Sequence, residues 1–106
     1  MMLLTEDDKI ALRLQTEKLM QTYNEIKHHF ATIDAVQARR ACEAYGWFEK
    51  LRPELAQQIV AFKKARDLIF KIDGDAADLY DRAVEMNRKT LTLIEGIVKK
   101  ARIIQA

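Results

Sequence analysis

The sequence predicts an all-α fold: three or four long antiparallel helices in an elongated, coiled-coil-like bundle, forming one domain over residues 1–106. Three observations point there. Apolar residues recur at alternating steps of three and four along most of the chain, the spacing of one helix face. Glycine and proline number only 3 and 1, so little interrupts a helix once started. Hydrophobic residues make up 49% and charged residues 32%, enough to build a core and still clothe it in solvated side chains.

The first helix is predicted from about Thr5 to Phe30. Thr5 and Asp8 supply N-cap chemistry, and Glu6, Asp7 and Asp8 suit the positive end of a helix dipole. Its seam reads Leu12, Leu19, Tyr23, Ile26, Phe30 and Ile33, with Thr16 in the skipped position. Thr32 and Asp34 offer caps for a second helix, which opens with the small residues Ala35, Ala38, Ala41, Cys42 and Ala44. Bulkier residues follow at Tyr45, Trp47, Phe48 and Leu51. Pro53 removes an amide donor and is predicted to kink or briefly break this helix without a sharp reversal. The apolar spacing continues through it at Phe48, Leu51, Leu55, Ile59, Phe62, Ile69 and Ile72.

Ile72-Asp73-Gly74-Asp75 is the clearest turn. Gly74 is expected at positive φ, closing the preceding helix, with Asp75 capping the next and Asp78 in its first turn. The last helix is predicted over about 76–104, with the seam Tyr80, Val84, Asn87, Leu91, Ile94, Val98 and Ala101. Asn87 is the polar residue in that seam, a position where such a residue can set register.

Composition excludes several classes of function. A net charge of +2, from 18 basic and 16 acidic residues, lacks the excess of a dedicated nucleic-acid binder. Basic residues gather at Arg39 and Arg40, at Lys63, Lys64 and Arg66, and at Lys99, Lys100 and Arg102, and read as solvated helix faces. The single cysteine, Cys42, precludes an intrachain disulfide and reads as a small, half-buried residue in a reducing setting. Met-Met-Leu-Leu followed by acids does not make a signal peptide, and no apolar run reaches the roughly 20 residues of a membrane span. A cytoplasmic protein is therefore expected.

No catalytic constellation stands out. The chain contains no serine and no glycine-rich phosphate loop. Glu25 and His28 have the Glu-x-x-His spacing of di-iron bundles. Such a site needs further ligands, which Glu43 or Glu49 would have to supply, and no second motif exists. Asp73 and Asp75 lack the longer ligand array and terminal Glu of a calcium loop. No enzyme, metal or cofactor is expected.

The last helix carries more information. Leu91, Ile94, Ile97, Val98 and Ala101 share one face, which Met86, Leu93 and Ile104 widen to roughly half the circumference. A third helix could cover the excess, or a partner could. In the second case Leu93, Ile94, Ile97, Val98 and Ile104 are the candidate partner-binding residues. The stretch Met86-Asn87-Arg88-Lys89-Thr90-Leu91-Thr92-Leu93-Ile94-Glu95 resembles the late helix of FlgN-type flagellar export chaperones. Asn87 and the pair Leu93-Ile94 carry the likeness, and Thr90 stands where that pattern has a second asparagine. The resemblance implies a cytosolic chaperone that holds a hook–filament junction protein before secretion. Self-association as a small helical regulatory or assembly subunit is the alternative expectation, and metal or nucleic-acid binding comes third. Because Glu25 and His28 lack a second motif, His28→Ala should leave melting temperature and metal content unchanged. Stoichiometric iron or manganese in protein purified from cells, absent from that variant, would show otherwise.

Overall fold

The computed structural model describes residues 4–30, 34–44 and 46–103, apart from the side chains of His29, Phe30, Ala35, Ala41, Ala44, Trp47, Phe48 and Ile103. These residues form α1 (Glu6–Phe30), α2 (Ala35–Ala44), α3 (Trp47–Ile69) and α4 (Gly74–Ile103). No strand occurs among the described residues. The molecule measures 50 × 22 × 18 Å, and its long axis is set by α4, whose 30 residues at about 1.5 Å each nearly span it.

Local chemistry starts each helix where a polar side chain can satisfy orphan amides. At α1 the Thr5 hydroxyl accepts from the Asp8 amide, and the Asp8 carboxylate accepts from the Thr5 amide, both at 3.1 Å. Asp34 and Gln37 repeat that reciprocal arrangement at α2: the Gln37 amide donates to Asp34 at 2.8 Å and the Asp34 amide to Gln37 at 3.2 Å. Thr32, the other predicted cap, lies outside the described residues, as does Ile33 of the first seam.

Two junctions add to or differ from expectation. Of the kink or brief break expected at Pro53, the break does not occur there, since Pro53 lies inside α3. The break comes earlier, between Ala44 and Trp47, and Gly46 there keeps right-handed helical dihedrals of φ −54° and ψ −15°. Pro53 is exposed and close to the start of α3, so water can reach the backbone carbonyl that its missing N–H leaves free. The second difference is at the turn. No described glycine has positive φ, and Gly74 opens α4 instead of closing α3. The amides of Ile72 and Asp73 donate to the Ile69 carbonyl at 2.9 and 2.8 Å, which closes α3 without a left-handed residue. Asp73, not Asp75, is the cap, accepting from the Ala76 amide at 3.1 Å. Ile72 consequently leaves the apolar face and is exposed.

Packing gathers around α4, which contacts α1, α2 and α3. Near its start, Ala76 and Ala77 bury with Ile69, and Leu4 and Tyr80 lie against them. Next come Leu79 and Ala83 with Leu12, flanked by Phe62 and Tyr80, whose ring centroids are 5.7 Å apart. The largest cluster joins Ile94, Ile97, Val98 and Ala101 to Ile26, Ala38 and Leu55. The order of partners shows that α1 runs parallel to α4 and α3 antiparallel to it. Leu55 is among the largest wholly buried side chains. Leu55→Ala should lower unfolding free energy by about 2–5 kcal/mol, read from the denaturant midpoint.

One ion pair ties the start of α1 to the turn between α3 and α4. Lys9 Nζ lies 2.9 Å from the Asp73 carboxylate, so the first turn of α1 grips the cap of α4. Hydrogen bonding to Asp73 raises the Lys9 pKa against the opposing effect of desolvation. Hydrogen bonds from Lys9 and then from the Ala76 amide lower that of Asp73. Linkage gives the signs. The Asp73 contribution is full above the ordinary carboxylate range near pH 4 and is lost as pH falls through its lowered value. The Lys9 contribution is full below the ordinary lysine value, about 10.4, and is lost as pH rises through its raised value. Asp73→Asn keeps a capping oxygen and removes the charge. Its melting temperature should trail that of the native chain evenly from about pH 5 to 9 and converge with it at both extremes.

Candidate functional site

The residues expected to face a partner lie mostly inside the bundle. Ile94, Ile97 and Val98 are 0%, 2% and 5% exposed, enclosed by Ile26, Ala38 and Leu55. Leu93 is half-buried at the edge of the same cluster, and Ile104 lies outside the described residues. The physical reason is α2. The small side chain of Ala38, wholly buried in that cluster, lets this short helix approach the C-terminal half of α4, so the apolar width left over by α1 and α3 is covered within the chain. The face is therefore core in the closed bundle.

The surface instead offers an open-sided groove of about 200 Å³ between α1 and α3. One wall comes from Gln15, Thr16, Lys18, Leu19 and Thr22, the other from Leu51, Leu55, Gln58 and Phe62, and Ala83 and Asn87 form the floor. It exists because α1 and α3 both pack on α4. Two of its polar residues present less polarity than their names suggest. The Thr16 hydroxyl donates to the Leu12 carbonyl at 2.9 Å and that of Thr22 to the Lys18 carbonyl at 3.1 Å, so each is turned back on its own helix.

Asn87 behaves differently from the register-setting residue the seam suggested. It is 2% exposed, and its Nδ2 donates at 2.7 Å to the Ala83 carbonyl one turn back in α4, not across to another helix. Its Oδ1 is buried and finds no donor among the described residues. The amide cannot simply be flipped, because a carbonyl oxygen would then face the Ala83 oxygen. An unpaired buried acceptor costs about 1–3 kcal/mol. Thr90 is also buried, with its hydroxyl satisfied by the Met86 carbonyl at 2.8 Å.

Other features carry less chemistry. A cleft of about 420 Å³ between α3 and α4 is lined by Lys63, Arg66 and Arg88 and by Asp67, Asp81 and Glu85, so its charges balance. Arg66 already pairs with Asp81 at 3.3 Å and lies 4.7 Å from the Phe70 ring. Cys42 is half-buried, and burial pushes its thiol pKa up, Glu49 adding to that and Arg52 opposing it. A raised pKa reduces the thiolate fraction and with it reactivity. Glu25 and His28 are both exposed, Glu43 pairs with Arg39 at 3.3 Å, and Glu49 lies 3.8 Å from Arg52. Among the described residues no group of three or more metal-ligating side chains forms. Nor is any helix there long and apolar enough to cross a membrane.

Sequence reasoning singled out Asn87 and the skipped position Thr16 one at a time. The signal that could have found the groove was their coincidence, a polar residue interrupting the seam of two helices that pack together. Comparison with family models, curated proteins and solved structures finds no match for the chain. Burial of the α4 face has a direct consequence. Ile97→Asp should lower the melting temperature sharply, because it places an unpaired charge in the core. Leu93→Asp, at the margin, should lower it less. Equal and small effects on thermal melting would show that this face is not core.

Proposed function

We propose that this chain acts by protein–protein contact, seating an apolar segment of a partner in the groove between α1 and α3. The observation that carries the reading is that groove itself: an open, largely apolar trough at mid-bundle, walled by Leu19 of α1 and by Leu51, Leu55 and Phe62 of α3. An amphipathic segment laid in such a trough is recognised by anchors at helical spacing. The likeness of residues 86–95 to the late helix of FlgN-type chaperones favours one form of this function: a cytoplasmic export chaperone whose client is a hook–filament junction protein. In that form Leu93, Ile94, Ile97 and Val98 act indirectly, by holding α4 in place beneath the groove, and not as the contact surface first expected.

Self-association is the second reading, favoured by Ile10 and Leu14, exposed large apolar residues one turn apart on α1. Two experiments separate these. Gln58→Arg puts a long charged side chain on the groove wall, at a half-buried position where the fold should tolerate it. Protein partners that co-purify with the native chain from its own cells should be lost with that variant. Retention of the same partners would refute the groove reading. If the chain is instead a dimer through α1, Ile10→Asp with Leu14→Asp should halve the mass measured by light scattering and leave the helical spectrum intact.

A further inference from the structure

We propose that two copies of this chain pair face to face, the start of α1 in each lying against the end of α3 in the other. The pairing is a form of self-association, rests on that reading of the chain, and names its faces and its symmetry. Of the large apolar side chains exposed among the described residues, Ile10, Leu14, Val60 and Leu68 share one side of the molecule. At about 100° per residue, Ile10 and Leu14 each lie about 160° round α1 from buried Leu12. Val60 and Leu68 each lie about 140° round α3 from buried Leu55, and Lys64 between them lies opposite it. Leu12 and Leu55 pack on α4, so both sets point away from it. Within one chain α1 and α3 stand side by side with the groove between them, and these outward residues cannot meet. A two-fold axis parallel to the bundle brings them together. It lays each α1 on the α3 of the other copy, antiparallel, and leaves both α4 helices outside.

Such an axis preserves level along the bundle. Thr16 and Gln58 line the groove at one level, and α1 and α3 run antiparallel. Counting outward from there, Leu14 comes level with Val60, and Ile10 comes level with Lys64, about one turn from both Val60 and Leu68. Asp7 comes between Lys64 and Lys71. Ile10 therefore seats between two apolar side chains of the other copy, and Asp7 between two lysines. Asp7, Lys64 and Lys71 are exposed and in no ion pair among the described residues. Asp67, at the same level, sits on the flank that lines the α3–α4 cleft, 3.5 Å from Arg66. Charge selects the occupant. The α1 strip carries an acid among its apolar residues and the α3 strip carries bases, so the face is complementary to itself under the rotation. An anionic lipid surface would instead meet Asp7 and Glu17 along with the lysines. On α1 the contact ends at Leu14 and the groove begins at Gln15.

The test takes the full chain, its molar mass from light scattering and its dimerisation constant from sedimentation equilibrium. The native chain should reach twice 12.3 kDa. Lys64→Glu with Lys71→Glu should weaken dimerisation by about tenfold, because like charges then meet at both symmetry-related contacts. Adding Asp7→Lys should recover most of that loss, which a variant damaged only in its folding would not do. All three positions are exposed, so the helical spectrum should stay unchanged. A native dimer whose constant ignores the lysine changes, or a triple variant no tighter than the double, would overturn the α1–α3 pairing and leave self-association to another face. A native chain that keeps the monomer mass up to millimolar concentration, its face left to another protein or to lipid, would overturn the pairing and self-association together. The groove reading stands or falls separately, on partner loss in Gln58→Arg.

Discussion

The apolar face of α4 is wider than any one neighbour can cover, and the rest of the bundle is arranged to bury it. Buried residues run from Ala77 and Val84 on one flank through Ile94 at the centre to Leu79 and Ile97 on the other. At about 25 cal/mol per Å² of apolar surface, leaving either flank in water would cost much of a small domain's stability. Hence α1 and α3 each take part of the face, and α2 adds its cover near the C-terminal half. Ala38, wholly buried, is what lets that short helix come close.

Sharing one helix among three has a geometric cost at mid-length. The large cluster around Ile94 and the smaller one around Leu79 and Ala83 are separate, and Asn87 lies between them on α4. Thr16 of α1 and Gln58 of α3 line the groove at the same level. The core is thus divided by a partly polar layer, and the groove opens there. Hydroxyls at Thr16 and Thr90 turn back to their own helix backbones, so they add no bonds between helices. Apolar clusters on either side of this layer hold the helices together.

The end of the bundle where α3 turns into α4 is organised by charge instead. Asp73 caps α4 through the Ala76 amide and pairs with Lys9 from α1, so one carboxylate joins three segments. Because the cap comes at Asp73, α4 begins at Gly74, and Ile72 is left on the turn with Leu68 and Phe70 as exposed neighbours in sequence.

Much of the fold was legible in the sequence because it depends on local terms. The caps read at Thr5–Asp8 and at Asp34 act within one helical turn, and the period of Leu12, Ile26, Ile94 and Val98 reports a buried face directly. The site was not legible in the same way. Periodicity tells that a face is apolar but not who covers it, so Ile94, Ile97 and Val98 could be read as waiting for a partner until α2 was seen against them. That the capping Asp73 also pairs with a lysine more than sixty residues away is a tertiary contact, and Asn87 acquired an unpaired oxygen only through the way its neighbours enclose it. These are outcomes of packing at long sequence separation, which local propensity does not encode.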